Sequence, residues 1–168
     1  MHLLSTTIDA DGSPSGHIAW YNHTTETSKI RSLRPSAKND RYGIQRMEML
    51  AIYFALSDNQ QHINKIVSSQ SRKHFIINIR SDSRTTVEQL QGASGIRDEL
   101  LQKIYLAIKK LSEKMRYTII NFSHLERTRN IAGLMLEQRR RKEEEKLWIR
   151  QYHIHYYNRF IPYRLMAT

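Results

Sequence analysis

Three acidic residues stand where an ordinary hydrophobic core would prefer apolar side chains. Asp9 follows the first apolar run, Glu48 lies inside the most hydrophobic helical segment, and Asp82 follows the most apolar strand. Separated negative charges are costly to hold together unless a cation neutralises them. Hard divalent ions such as Mg²⁺ take oxygen ligands, and a pair of such ions can activate water and stabilise the leaving oxygen of a phosphodiester. Metal-dependent phosphodiester chemistry is one interpretation of these residues. Their spacing alone favours ordinary structural roles, with Asp9 as a turn residue, Glu48 on an exposed helix face and Asp82 as a helix N-cap.

The elements that must position these carboxylates follow from hydropathy periodicity and turn residues. The predicted strands cover residues 2–8, 16–22, 28–33, 74–80 and 117–123, with a turn over 9–15. The predicted helices cover residues 44–56, 84–91, 98–114 and 130–146. This order predicts an α/β fold with a five-stranded mixed sheet, in which three antiparallel strands precede parallel strands joined by helical crossovers, with helices on both faces. Ligands collect beyond the carboxyl ends of parallel strands, which favours a site at Asp82, joined by Asp9 if the first strand is its neighbour.

The composition is that of a soluble globular protein with a basic C-terminal part. The chain has 168 residues, a net charge of +11 and no cysteine, which excludes disulfides, Cys-ligated zinc and thiol catalysis. Residues 101–168 hold 15 Lys and Arg against 6 Asp and Glu, a net of +9, whereas residues 1–100 have a net of +2. Such asymmetry is typical of proteins that bind a polyanion. Because no membrane-spanning run or secretory leader is evident, we expect a cytoplasmic protein.

Five segments, in order along the chain, resemble the motifs of ribonuclease H of type 1. SDSRTTVEQLQG (81–92) is similar to the family pattern S-D-S-x-x-x-[VI]-x-Q-[LV]-x-G, and QRMEMLA (45–51) resembles N-x-x-E-[LM]-x-A. DADGSPSGHIAWY (9–21) resembles the first hairpin of the family. IRDELLQKIYLAIKKL (96–111) and INFSHLERTRNIAGLML (120–136) resemble its last crossover helix, last strand and final helix. The resemblance runs from about residue 3 to residue 137 and implies the ribonuclease H-like fold of archaeal and bacterial members.

The resemblance also implies an endonuclease that uses Mg²⁺ or Mn²⁺ to cut the RNA strand of RNA–DNA hybrids. Carried over by position, the metal ligands and catalytic carboxylates are Asp9, Glu48 and Asp82. Asp11 competes with Asp9, because Gly and Ser follow it as they often follow the family aspartate. We favour Asp9, which better fits the predicted strand end and the distance to Gly16.

The fourth acidic ligand of the family has no counterpart at its expected position. Aligning Arg127 and Asn130 with the family pattern R-x-x-N places Leu134 where the family has aspartate. Asp11 and Glu137 are alternative carboxylates for this role. Without a carboxylate at this position, two functions are possible: a nuclease with weakened catalysis, or an inactive module that only binds nucleic acid. A nuclease acting on structured or double-stranded RNA is a third interpretation.

Five further residues are candidates for contact with a double-stranded substrate. They are Ser13, Gln45, Arg84, Lys110 and His124. The Gln45 amide can donate to and accept from a ribose 2′-hydroxyl, the feature by which proteins distinguish RNA. Ser13, Arg84 and Lys110 are candidates for phosphate contacts, and His124 for proton relay or product release. Most of them have a structural alternative. Gln45 could be an ordinary helix residue, Arg84 and Lys110 could be solvated charges, and His124 could be a packed side chain.

The C-terminal part has an unusual composition. We predict a ribonuclease H-like domain over residues 1–137 and a basic, aromatic extension over 138–168, which includes Trp148 and Tyr152. Interleaved aromatic and basic residues can stack on unpaired bases. Packing on the same domain, or on a second subunit in a dimer, is the alternative that we favour at this stage.

Overall fold

The computed structural model describes residues 4–33, 41–69, 74–115 and 117–160, the last eight of these by backbone alone. Within these ranges the strands are β1 (Leu4–Gly12), β2 (His17–Asn22), β3 (Thr27–Ser32), β4 (Phe75–Ser81) and β5 (Thr118–His124). The helices are α1 (Gly43–Ser69), α2 (Arg84–Gln91), α3 (Glu99–Lys114) and α4 (Ile131–Phe160), and a 3₁₀ turn at Arg127–Arg129 precedes α4. The predicted strand start at His2 lies outside the described residues.

The five strands form one mixed sheet in the order β3-β2-β1-β4-β5. β2 pairs antiparallel with both β1 and β3, whereas β4 pairs parallel with β1 and β5. Helical crossovers separate the parallel strands, as the handedness and length of such connections require. The predicted α/β fold class and mixed sheet are therefore confirmed.

β1 is longer than its sequence pattern indicates. The Asp9–Gly12 segment, predicted as part of a turn, pairs with β2 through Asp9 opposite Tyr21 and Gly12 opposite Ile18. The turn is confined to the residues around Ser13 and Gly16, where the Gly16 amide donates to the Ser13 carbonyl. Pairing with β2 overrides the local turn preference of Asp and Gly, because it gives the backbone groups of this segment hydrogen-bond partners.

The two faces of the sheet differ in chemistry because successive side chains of a strand point to opposite sides. The main hydrophobic core contains Ile8 and Ala10 of β1 and Ile79 of β4. Buried apolar side chains of α1 and α3 complete this core. Asp9 and Asp11 point to the other face. There, Ala19 and Ala132 with Leu136 form a second, small apolar cluster. The carboxylates of β1 are thus buried on the less apolar side of the sheet.

Two helices extend beyond the range of their predicted patterns. α1 continues from Leu56 to Ser69 through a polar stretch, where Asn59 accepts a hydrogen bond from Asn22 and Ile63 is buried. α4 continues past Lys146 to Phe160. By contrast, α2 has its predicted bounds, since Ser83 caps its start and the left-handed Gly92 caps its end.

The chain divides into two compact units, Met1–Leu136 and Glu137–Thr168. In the second unit, Arg139 lies 2.8 Å from Glu143 and Arg140 lies 3.9 Å from Glu144, which are pairs of the spacing that supports a helix. Residues 161–168 of the predicted extension lie outside the described residues, and its separate role stays a prediction. Among the described helices, none is long and apolar enough to cross a membrane.

Candidate metal centre

The end of β1 and the second turn of α1 approach each other closely at Gly12. A Cβ atom at Gly12 would lie within 2.6 Å of the Glu48 nitrogen and closer still to the Met47 carbonyl carbon. Only glycine permits this approach without displacing backbone. The contact brings the side chain of Glu48 next to that of Asp11, the residue before Gly12.

Asp82 reaches the same place from the end of β4, the parallel neighbour of β1. Ser83, not Asp82, is the N-cap of α2, so the Asp82 carboxylate is available for other contacts. The Asn130 side-chain amide donates to Asp82 Oδ1 at 3.1 Å and to the Ala10 carbonyl at 3.2 Å. These two bonds attach the residue before α4 to both strands and orient Asp82.

Asp11, Glu48 and Asp82 form what we call the carboxylate cluster. Each residue offers one oxygen, and these oxygens lie within 4.8 Å of one another. Asp11 and Glu48 are buried and Asp82 is half-buried. Ser81 Oγ lies 3.5 Å from Glu48 Oε2, so the serine donates at most a weak hydrogen bond.

The electrostatics of the carboxylate cluster are unfavourable for three ionised groups. Burial raises the pKa of Asp11 to about 7, and repulsion by Asp82 adds to this shift, while Arg127 and the Gly12 amide oppose it. Burial, followed by repulsion from Asp11 and Asp82, raises the pKa of Glu48 well above its usual value. Three hard oxygen donors that repel one another when ionised fit a divalent cation, which would neutralise them.

Asp9 lies on the same sheet face but is not a member of the carboxylate cluster. Its side chain is 0% exposed, and its Oδ1 accepts a hydrogen bond from Arg80 Nε at 2.7 Å. Its Oδ2 lies 2.8 Å from His23 Nε2 and accepts from the Ile131 amide at 3.2 Å. The expected convergence of Asp9 with Glu48 and Asp82 is therefore not observed, because Asp11 lies there instead. The role of either aspartate as a metal ligand stays a prediction. Because β1 continues to Gly12, the carboxylate at the strand end is Asp11, and Asp9 is a strand-interior residue that is paired with Arg80.

Comparison with known proteins shows the fold to which this arrangement belongs. No family model matches the sequence, and no curated protein matches it. RNase H1 from the halophilic archaeon Halobacterium salinarum NRC-1 matches with a TM-score of 0.56 at 15% identity, covering 78% of this chain and 91% of that chain. The chain has a ribonuclease H fold.

Two more solved ribonuclease H structures resemble the chain to a similar degree. LC11-RNase H1, in complex with an RNA/DNA hybrid, matches with a TM-score of 0.53 at 16% identity, covering 75% of this chain and 87% of that chain. The N-terminal RNase H domain of Rv2228c from Mycobacterium tuberculosis, solved as a fusion with maltose-binding protein, matches with a TM-score of 0.51 at 18% identity, covering 76% and 86%. At these identities the likeness concerns the fold.

The residue predicted at the position of a fourth ligand, Leu134, lies at the start of α4. Leu134 is 47% exposed, and its amide donates to the Asn130 carbonyl. Gly133, one residue earlier, packs against Asp11, and a Cβ there would lie 3.3 Å from Asp11 Oδ2. Glu137 forms an ion pair with Arg141. Its role as a replacement ligand stays a prediction.

The residues predicted to contact substrate occupy varied positions on the ribonuclease H fold. Ser13 Oγ hydrogen-bonds Ser15 in the β1–β2 turn, and Gln45 is half-buried in the first turn of α1. The Arg84 side chain is 79% exposed and lies 3.6 Å from Glu88, as expected of a solvated helix residue. Lys110 is exposed on α3, and His124 is exposed where β5 pairs with Ser81. Their roles in binding or catalysis stay predictions.

Sequence reasoning did not assign a role to three residues that shape the site. Gly12 permits the contact of β1 with α1, Asn130 orients Asp82, and Arg127 opposes the raised pKa of Asp11. Each had a signal in the sequence. Gly12 directly follows Asp11, and Arg127 and Asn130 form an R-x-x-N pattern.

Proposed function

We propose that this protein is a divalent-metal-dependent endonuclease that hydrolyses the RNA strand of RNA–DNA hybrids. The convergence of the carboxylate cluster carries the proposal. Two of its residues lie at the ends of the parallel strands β1 and β4 and the third lies on α1, and three carboxylates that repel one another are costly to hold together without a cation. LC11-RNase H1, a structure of the same fold, is described in complex with an RNA/DNA hybrid, which supports the choice of substrate.

The carboxylate cluster would hold Mg²⁺ or Mn²⁺, with Asp11, Glu48 and Asp82 as ligands. A bound divalent cation lowers the pKa of water and stabilises negative charge that develops on phosphate oxygens. Asn130 restrains Asp82 through its amide, and the Gly12 amide hydrogen-bonds both Asp11 and Glu48. These contacts preorganise the ligands, so that little reorganisation is needed when a cation binds.

Substrate contacts around the cluster complete the proposal. Gln45 would hydrogen-bond a ribose 2′-hydroxyl, and Ser13, Arg84 and Lys110 would contact phosphates. His124, exposed at the end of β5, would relay a proton to the leaving oxygen. Arg127 acts electrostatically on Asp11 and would also attract the polyanionic substrate.

The test uses a hybrid whose RNA strand carries a 5′ label, incubated with Mg²⁺ or Mn²⁺. Cleavage is expected for the wild type and is expected to disappear for Glu48→Gln. Glu113→Gln, which changes an exposed glutamate on α3, is the matched control and should retain full cleavage. Cleavage that survives in Glu48→Gln would contradict the proposal, because it would show that another site or a contaminant cuts the RNA.

Leu134 favours one alternative function, a binding module without turnover. It occupies the position at which ribonuclease H has its fourth carboxylate. The wild type would then bind the hybrid tightly and leave it intact in either metal. Because Leu134 is 47% exposed, Leu134→Asp should fold normally, and a gain of cleavage in this variant would identify the missing ligand as the cause. Competition by duplex RNA in the same assay distinguishes a nuclease with a different double-stranded substrate.

A further inference from the structure

The last part of the chain carries positive charge without compensating acidic residues. From Lys146 to Thr168 the sequence contains four basic residues and no Asp or Glu. The four are Lys146, Arg150, Arg159 and Arg164. The preceding basic block differs, because Arg139, Arg140 and Arg141 pair with Glu143, Glu144 and Glu137. The uncompensated charge of the second unit is therefore concentrated beyond Glu145.

Large aromatic side chains are exposed in the same stretch of α4. Trp148 and Tyr152 stack on each other, with ring centroids 5.5 Å apart and an angle of 19° between the ring planes. Trp148 is 64% exposed and Tyr152 is 58% exposed. Leu147 and Ile149 beside them are exposed as well. Two nearly parallel rings next to Lys146 and Arg150 present an aromatic surface with positive charge at its edge.

The charge of this segment argues against pairing with a second copy of the chain. From Lys146 onward its Lys and Arg residues have no acidic residue among them, so two copies of the segment would repel each other. A second copy of this chain is therefore a poor occupant of this face.

We propose that residues 146–152 of α4 bind single-stranded nucleic acid. Trp148 and Tyr152 would stack on unpaired bases, and Lys146 and Arg150 would contact the phosphates that flank them. Base stacking on aromatic rings tolerates any base sequence, and basic residues follow the backbone. This binding activity does not depend on hydrolysis of a hybrid, so it stands or falls separately from the proposed nuclease function.

The experiment measures binding of the full chain to fluorescent 20-nucleotide oligo(dT) and oligo(U) by anisotropy, in EDTA so that metal-dependent cleavage is suppressed. Trp148→Ala and Tyr152→Ala should each weaken binding about tenfold, the scale of losing one stacked base. Leu106→Ala, which removes an apolar side chain of comparable exposure from α3, is the control and should bind as the wild type. Unchanged affinity in both aromatic variants would refute the proposal.

A second pair of variants tests the charge component. Arg150→Gln should reduce the steepness of the salt dependence by about 0.7 in a plot of log affinity against log salt, as expected for loss of one phosphate contact on a single strand. Arg139→Gln is the matched control, because Arg139 is already paired with Glu143, and should change this slope less. Equal slopes for Arg150→Gln and the wild type would contradict the role of Arg150.

Two other occupants would appear as distinct outcomes. Light scattering that shows a wild-type dimer and a monomeric Trp148→Ala variant would overturn the proposal in favour of a second copy. Sedimentation with phosphatidylserine vesicles, lost in Trp148→Ala, together with no binding to either oligonucleotide, would overturn it in favour of a membrane surface. Unchanged circular dichroism of Trp148→Ala would show that the variant folds, which is expected because the side chain is exposed.

Discussion

Asp9 and Asp11 lie two positions apart on β1, point to the same face of the sheet and are both buried, but their surroundings are opposite. Asp9 is paired with Arg80 and lies 2.8 Å from His23, whereas Asp11 is grouped with two other carboxylates. A buried charge needs a compensating partner. Asp9 has its partner within the protein, whereas burial and the neighbouring carboxylate of Asp82 raise the pKa of Asp11. Burial and residue type alone therefore do not distinguish a structural carboxylate from a candidate metal ligand.

The contacts of Asp9 show how its ion pair with Arg80 connects elements of the fold. Its carboxylate bonds Arg80 of β4 and the amide of Ile131, the first residue of α4, and lies beside His23 after β2. A carboxylate at a helix start satisfies an amide that the helix leaves without a partner. Asp9 thus connects three elements at the place where Asn130 restrains Asp82. It supports the site without belonging to it.

The largest expected difference between the two aspartates is in catalysis. Asp11→Asn should reduce hybrid cleavage at least about 1,000-fold, because loss of a ligand exceeds the ~10–100-fold effect typical of residues that support ligands. Asp9→Asn should fall within that smaller range. Rates from single-turnover cleavage at saturating Mg²⁺ give the comparison. Equal losses in the two variants would show that Asp9 is a ligand after all, or that neither residue is.

The next effect is on the free energy of unfolding, which should fall in Asp9→Asn and rise in Asp11→Asn. Asp9→Asn leaves the Arg80 charge without its partner and should lower the free energy of unfolding by about 3 kcal/mol, the low end for a broken buried pair, since Arg80 is partly exposed. Asp11→Asn removes repulsion within the carboxylate cluster and should raise the stability of the metal-free protein. Urea unfolding in EDTA measures both. Destabilisation by Asp11→Asn would contradict the electrostatic account of the cluster.

The stabilisation of the folded protein by a bound metal ion should also differ between the two variants, by slightly less than the effect on folding stability. Mg²⁺ at 100 times its dissociation constant should stabilise the wild type by about 2.7 kcal/mol, since it binds only the folded state. Asp9→Asn should retain most of this increment and Asp11→Asn should lose it. Thermal unfolding across a Mg²⁺ titration provides the measurement, with Ca²⁺ as a second hard cation. An increment that persists in Asp11→Asn would indicate that the cation binds elsewhere.

The pH dependence of the metal-free protein provides a further comparison of the two positions. The pKa of Asp11 is raised from 3.8 to about 7 in the folded state. Between these two pH values the folded protein therefore keeps a proton on Asp11 that the unfolded chain has already released. This stabilising contribution is complete below about pH 4 and is lost as the pH rises to about 7. The raised pKa of Glu48 acts in the same direction. Urea midpoints in EDTA across this range should fall for the wild type and fall less for Asp11→Asn.

Much of the architecture was predictable from local patterns. α2 has its predicted bounds because Ser83 and Gly92 are strong local start and stop signals. The order of strands and helices followed from periodicity, and the motif resemblance indicated Glu48 and Asp82, which the structure brings together. The second half of α1 was missed because the polar stretch after Leu56 has a weak pattern, and its support comes from Asn22 on β2.

The sequence by itself determined the fold class, the order of the elements and the set of acidic residues from which the site is drawn, because these depend on local preference and short motifs. Only the tertiary structure decided which aspartate joins Glu48. That choice depends on where β1 stops, which is set by its pairing with β2, and on which carboxylate meets Arg80, a residue 71 positions away along the chain. Charge compensation between distant residues leaves no signal in local sequence, and it separates Asp9 from Asp11.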